Sequence, residues 1–226
     1  SDIHSNIEAL DSAVFELRKE GVDKVFCLGD IVGYAANPNE CVSVIKNISA
    51  LTVMGNHDAG AVGQTDMQYF NSDTREAILW TAPRLSAEST EYLKSLKLTA
   101  ADSGRLFAHS SPREPGVWSY VFTLRAAEVN FEFFTEDICF IGHTHIPSIV
   151  LKGESGEITN IPVTGGEIQL IKGRKYLINA GSVGQPRDND PRACFCIYDT
   201  DRKTVQIKRT SYDVSITQQK IIGAGL

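Results

Sequence analysis

The chain has 226 residues, of which 42% are hydrophobic and 22% charged, and its net charge is −6. That length suits one large domain, and the apolar fraction excludes a disordered chain. No apolar run approaches the roughly 18–20 residues of a membrane span, and the acidic balance argues against a generic binder of nucleic acid or anionic membrane.

Residues 6–20 predict an amphipathic helix. Ile7, Leu10, Val14 and Leu17 keep the helical period, Asn6 caps and Gly21 ends it. Val25 to Leu28 is a short apolar run, hence a buried strand, stopping at Gly29-Asp30. Asn37-Pro38 opens a second helix with its buried face at Cys41, Val44, Ile45 and Ile48. Leu51 to Met54 predicts another strand, which stops at Gly55-Asn56-His57-Asp58, and residues 60–71 read as loop. Helices follow over 73–82 and 86–97, separated by Pro83. Leu106 to Ala108 leads into His109, residues 111–122 are loop-like, and 124–134 predict a helix. Ile138 to Ile141 is a buried strand ending at Gly142-His143-Thr144-His145.

From 148 to 210 the pattern changes to short strands between turn signals, including a strand over 176–180 and a hairpin over 193–198 and 204–209, and a last helix covers 215–222. βα units first and antiparallel strands later give an α/β fold: two mixed β-sheets packed face to face as a sandwich, with helices outside. The span 1–226 reads as a single domain. Its first strand is expected upstream of Ser1, because Asp2-Ile3-His4 should follow a strand.

Cysteine usage is odd-numbered: Cys27, Cys41, Cys139, Cys194 and Cys196. The spacing suits neither a disulfide framework nor a zinc ribbon, so these read as buried thiols of a cytoplasmic protein. Cys194-x-Cys196 alternates with Ala193, Phe195 and Ile197 and reads as an ordinary strand.

The five histidines carry more information. His57, His109, His143 and His145 lie at or just beyond the ends of strand-like runs, and His4 stands at the start of the chain. Five polar clusters result: Asp2-x-His4, Gly29-Asp30, Gly55-Asn56-His57-Asp58, His109 and Gly142-His143-x-His145. In α/β folds ligands gather at the carboxyl ends of strands, so these residues are expected to converge. In an extended segment residues i and i+2 point the same way, which makes each D-x-H or H-x-H pair a two-pronged ligand. Carboxylates, a carboxamide and imidazoles form a mixed nitrogen and oxygen donor set. It suits Mn²⁺, Fe, Zn²⁺, Co²⁺ or Ni²⁺ better than Ca²⁺ or Mg²⁺. The donors are too many for one tetrahedral ion, so two divalent ions are the economical reading.

In this order the five motifs resemble those of the calcineurin-like metallophosphoesterase superfamily. Gly29-Asp30-Ile31-Val32-Gly33-Tyr34 and Asn179 to Asp188 resemble its compact prokaryotic branch of YfcE-type phosphodiesterases and diadenosine tetraphosphate hydrolases. The resemblance implies that Asp2, His4, Asp30 and His145 hold one metal ion. Asp30, Asn56, His109 and His143 hold the other, with Asp30 bridging. It implies catalytic roles for His57, which faces the scissile phosphate, and for Asp58, which orients and charges the His57 ring. Ser5 and Ser110 stand where glycine is common in the family, and neither removes a ligand.

The activity implied is binuclear-metal-dependent hydrolysis of phosphomonoesters or phosphodiesters, with manganese the first-choice ion. A metal-bridging hydroxide attacks phosphorus in line and His57 assists the leaving group. The substrate is then a small phosphorylated or nucleotide-like molecule, with no membrane and no long nucleic acid as partner. A non-catalytic scaffold on the same fold and a dinucleoside polyphosphate hydrolase are the alternatives. Arg187, in a loop marked by Gly181, Gly184 and Pro186, reads as a substrate-phosphate ligand or a surface ion pair. Asn56 belongs to the substrate side as well as to the metal. Trp118 and Tyr120 read as a substrate platform or as packing.

Overall fold

A computed structural model describes residues 1–226, apart from the side chain of Tyr69. The elements run α1 (Ile7–Glu20), β1 (Val25–Cys27), α2 (Pro38–Ile48), β2 (Ser49–Thr52), α3 (Asn56–Ala61), α4 (Ser72–Thr81) and α5 (Ala87–Ser95). Next come β3 (Thr99–Asp102), β4 (Arg105–Ala108), α6 (Leu124–Asn130), β5 (Ile138–Ile141), β6 (Ser148–Lys152) and β7 (Ile158–Ile161). The chain ends with β8 (Ile168–Gln169), β9 (Lys175–Asn179), β10 (Ala193–Asp199), β11 (Thr204–Thr210) and α7 (Val214–Ala224).

Six strands form one mixed sheet in the order β3-β4-β5-β9-β6-β7. Its centre is parallel, β4 to β5 to β9, and its two flanks are antiparallel. Facing it are the parallel pair β1-β2 and the antiparallel set β10-β11-β8. Phe107, Phe140, Ile178 and Ile149 from the large sheet meet Val205 and the partly buried Phe26, Leu51 and Tyr198 in a core between the layers. α1 and α2 cover the outer side of the second layer through Leu10, Val14, Val42 and Ile45. The last layer is α6 with the turn after it, whose Ala127, Phe131 and Phe134 cover the other face of the large sheet at Cys139, Ile141 and Leu177. The sandwich expected from the sequence is therefore present, with helices on both outer faces.

The chain-order expectations hold with local shifts. α3 takes in only residues 60 and 61 of the loop expected over 60–71, where Gly60 lets its last turn lie against Ile78, and the rest is loop apart from a 3-10 turn over Met67–Tyr69. β2 starts earlier than expected, at Ser49, and Val53 makes only an isolated bridge to Lys97. β3 had no strand-like pattern, since Thr-Ala-Ala-Asp lacks large apolar residues. Pairing with β4 supplies its order. α6 stops at Asn130 and tightens into a 3-10 turn over Phe131–Phe133.

Between β1 and β10 lies a cavity of about 570 Å³, lined by Phe26, Phe107, Phe140 and Phe195 together with Glu20, Lys24, Arg105 and Asp199. Ser1 is among its lining residues. From there residues 1–5 pass between the segment after β1 and the segment before β10. Asp2 N–H donates to Gly29 O at 3.0 Å, and Val183 N–H donates to Ser1 O at 3.0 Å.

Candidate metal centre

The five polar clusters meet at one end of the strands, on the loops that follow β1, β4 and β5, on the first turn of α3 and on the N-terminal segment. Asp2, His4, Asp30, His57, His109, His143 and His145 are each at most 4% exposed, and Asn56 is 6% exposed. Asp2, His4, Asp30, His143 and His145 all have positive φ, between 50° and 66°. Non-glycine residues avoid this left-handed region, and clusters of them mark functional sites. The D-x-H and H-x-H pairs thus converge through left-handed backbone, not through the extended geometry expected from the sequence.

Three groups of donor atoms lie within 4.8 Å of one another: Asp2, His4 and His145; Asp30, His109 and His143; and His4, Asp30 and His57. The first two are the separate halves of the expected pair of ion sites. Asp30 Oδ2 lies 3.7 Å from His4 Nε2 and 3.3 Å from His109 Nε2, so one oxygen faces both halves. The other oxygen, Oδ1, accepts the His57 N–H at 2.8 Å. Asn56 Oδ1 is 3.2 Å from His109 Nε2, within the second half. Gly55 is required beside them, because a Cβ there would meet Asp30 Oδ1 at 2.1 Å.

Four imidazoles share one arrangement. His4 Nδ1 donates to Val32 O at 3.2 Å, His109 Nδ1 to Leu28 O at 2.8 Å, and His145 Nδ1 to Gln185 O at 2.5 Å. His143 is reversed: Nε2 donates to Trp118 O at 2.8 Å. In each ring the bond to a carbonyl fixes the proton on one nitrogen and leaves the other nitrogen turned inward. There His4 Nε2 lies 3.1 Å from His145 Nε2, and His109 Nε2 lies 3.1 Å from His143 Nδ1. The unprotonated His4 and His145 nitrogens have no favourable contact at that distance without a cation near them. Metal-ligating histidines hold their second N–H in this way.

Burial pushes His143 down to about 3 and lowers His4 and His145, so three of the four rings are neutral. Burial works against a charge on His109 too, but the Asp30 and Asp2 carboxylates outweigh it and push it up to about 9. Asp30 lies well below the usual carboxylate range. Burial opposes that shift, and the His109 and His57 rings overcome it.

His57 departs from expectation. Burial pushes it down to about 4, so its ring is neutral rather than protonated near pH 7. Its Nδ1 is buried without a hydrogen-bond partner among the described residues. Asp58 does not orient that ring. Its Oδ1 accepts the Ile31 and Val32 N–H groups at 2.9 and 3.2 Å, and its Oδ2 accepts the Gly55 N–H at 3.1 Å. Asp58 is a strap joining two loops, and burial with the nearby Asp30 charge pushes its own carboxyl up to about 7. The His57 ring is held by packing instead: Tyr34 lies 4.5 Å away and His4 4.6 Å away, centroid to centroid. Gly33, at φ +99°, makes room, since a Cβ there would meet Nδ1 at 2.3 Å.

Arg187 stands exposed at the rim, with Nη2 on Gln185 Oε1 at 2.6 Å and 3.5 Å from the Tyr34 hydroxyl. It forms no ion pair among the described residues, so the surface-bridge reading falls away. Sequence reasoning missed Tyr34 and the four acceptor carbonyls. Tyr34 had a signal in the Gly33-Tyr34 step after Asp30; a carbonyl has none, because every residue carries one.

A family model described as the calcineurin-like phosphoesterase superfamily domain matches residues 1–203. The chain belongs to the calcineurin-like phosphoesterase superfamily. Within this superfamily it is 41% identical to uncharacterized protein MJ0912 of Methanocaldococcus jannaschii, over 98% of this chain and 90% of that protein. It resembles the crystal structure of a metallophosphoesterase from Sphaerobacter thermophilus at 37% identity and a TM-score of 0.88, covering 100% of this chain and 92% of that one. It shares its fold with hypothetical protein PH1004 of Pyrococcus horikoshii, at 21% identity and a TM-score of 0.78, covering 100% and 91% of the two chains. The phosphoesterase fold and the buried His and Asp groups together fit a binuclear metal site. No helix is long and apolar enough to cross a membrane among the described residues.

Proposed function

We propose that the chain is a binuclear-metal-dependent hydrolase of phosphomonoesters or phosphodiesters, with manganese as the preferred ion. The observation that carries this is the set of four imidazoles, each tied to a backbone carbonyl with its other nitrogen turned onto shared carboxylates. Asp2, His4, Asp30 and His145 would hold one ion; Asp30, Asn56, His109 and His143 would hold the other. Two such ions supply a nucleophile from water near neutral pH and neutralise charge on phosphate oxygens.

The chain's own residues do the rest. His57, neutral in its pocket, offers a ring N–H to a phosphoryl or leaving-group oxygen. Asp58 acts through backbone, holding the loops of Asp30 and His57 in register. Arg187 offers the rim a guanidinium for a phosphate oxygen. Asn56 serves the second ion and the substrate side of it.

The test is a screen of the Mn²⁺-loaded protein against phosphomonoesters, cyclic and linear phosphodiesters and dinucleoside polyphosphates, with elemental analysis of the same sample. Two equivalents of metal and turnover of one of these classes are expected. A saturating stoichiometry of one or zero overturns the binuclear reading. Two bound ions with no turnover of any class would favour the scaffold.

A further inference from the structure

Tyr34 packs against three groups of the centre, and only one of them depends on it. Its ring stands edge-on to His4, 4.7 Å between centroids at 62°, and lies 4.5 Å from the His57 ring at 51°. On the rim side the Arg187 guanidinium is 5.9 Å from the same ring. His4 has its own anchor, the bond from Nδ1 to Val32 O at 3.2 Å. Arg187 has one too, since its Nε and Nη2 both reach Gln185 Oε1, at 3.2 and 2.6 Å. His57 has none on Nδ1, which is buried without a partner among the described residues. The outer torsion of a histidine is broad, so an imidazole without such a bond turns unless its neighbours block it.

Tyr34 is itself braced. Its hydroxyl shares a hydrogen bond with Thr74 Oγ1 on α4 at 2.8 Å, and Thr74 is buried. On either side the backbone is pinned to residues 4 and 5. Gly33 N–H donates to Ser5 Oγ at 3.1 Å, and Ala35 N–H donates to His4 O at 3.1 Å. Between those bonds Tyr34 sits in the left-handed region, at φ 58°, where residues other than glycine are uncommon. The ring is therefore fixed at both ends, by its hydroxyl on α4 and by its backbone on the N-terminal segment.

We propose that Tyr34 is the positioning residue for His57, a braced aromatic wall that holds the imidazole plane toward the phosphate position. The inference rests on the hydrolase reading above. It assigns Tyr34 no contact with substrate and no share in holding metal. A reacting group misplaced by roughly 1 Å loses about 10²-fold in rate, so a wall that removes part of that freedom is worth about tenfold.

Tyr34→Leu keeps bulk and removes the flat face. In the Mn²⁺-loaded protein it should lower kcat about tenfold, while KM and metal content stay as they were. Tyr34→Phe, which restores the ring, should recover most of the loss. In a His57→Gln background Tyr34→Leu should cost less than about twofold, because the group it positions is gone. Thr74→Val cuts the tether and leaves the ring in place. It should give a smaller loss in kcat that also vanishes in His57→Gln, and it decides the matter where Tyr34→Leu does not fold. An inert Thr74→Val would then overturn the brace.

Nuclear magnetic resonance reads the same ring without turnover. With ¹⁵N-labelled histidine in the Zn²⁺-loaded protein, the His57 ring signals are identified by their absence in His57→Gln. They should be sharp in the native chain and in Tyr34→Phe, and broadened or doubled in Tyr34→Leu. Lost metal, a raised KM, the same loss with and without His57, or Tyr34→Phe no better than Tyr34→Leu would each overturn the proposal. So would unchanged His57 signals in Tyr34→Leu. Altered His57 signals in a protein that hydrolyses no phosphate ester would sink the hydrolase reading and leave Tyr34 its place.

Discussion

Asp30 gives its two oxygens different tasks, and that division makes it the most consequential side chain of the centre. Oδ1 accepts the His57 amide, while Oδ2 faces His4 on one side and His109 on the other. Asp30→Asn puts a neutral carboxamide where both halves meet, so the protein should retain less than one equivalent of Mn²⁺ by elemental analysis and lose turnover. His57 should behave differently. His57→Gln is expected to keep two ions yet lose about 10²–10³ in rate, the range of one hydrogen-bond donor to a developing oxyanion. The loss should be similar for p-nitrophenolate and for an alkyl leaving group, because a neutral ring hydrogen-bonds without giving up its proton. Loss of metal would make His57 a ligand, as its place beside His4 and Asp30 allows. These side chains were legible in the sequence because histidines and carboxylates at strand ends have few other uses. Asp58 was misread because Asp beside His suggests a pair, whereas three amides had already claimed its oxygens.

Among the elements, α7 shows how charge secures a surface helix. Thr217 and Lys220 reach Glu8 on α1, Lys220 also reaches Asn37, and the Trp80 indole donates to Ala224 O. Burial alone would raise the Glu8 carboxyl, but Lys220 and Thr217 outweigh it and hold it below its usual value. A carboxyl lowered by folding contributes stability above its unfolded value and loses it as pH falls through the folded one. Hydrogen exchange of α7 amides should therefore accelerate below about pH 4.5 relative to β5 amides. In Glu8→Gln, protection should already be reduced at pH 6 and vary less with acid. Element by element, the long periodic segments were legible. α3 and β3 were not, because one depends on Gly60 meeting Ile78 and the other on pairing with β4, both contacts between distant segments.

On the scale of the whole molecule, the two-layer core and the centre stabilise each other. Residues 1–226 are expected to melt as one unit, and metal that binds only the folded state should raise the midpoint. At one hundred times the dissociation constant each site adds about 2.7 kcal/mol. Scanning calorimetry across a Mn²⁺ series should show one transition rising by several degrees; a second, metal-independent transition would divide the chain into two domains.

The four bonds from imidazole to carbonyl have a consequence for the order of assembly. They span 28, 81, 25 and 40 residues, and His4 meets His145 across 141. Each is a loop closed against chain entropy, and no ion finds a complete set of donors until several have closed. The centre is then a clasp fastened last, after the sheets have found their partners. Interactions absent from the folding transition state slow unfolding without hastening folding. Added metal should lengthen the lifetime of the native chain and leave its folding rate almost untouched.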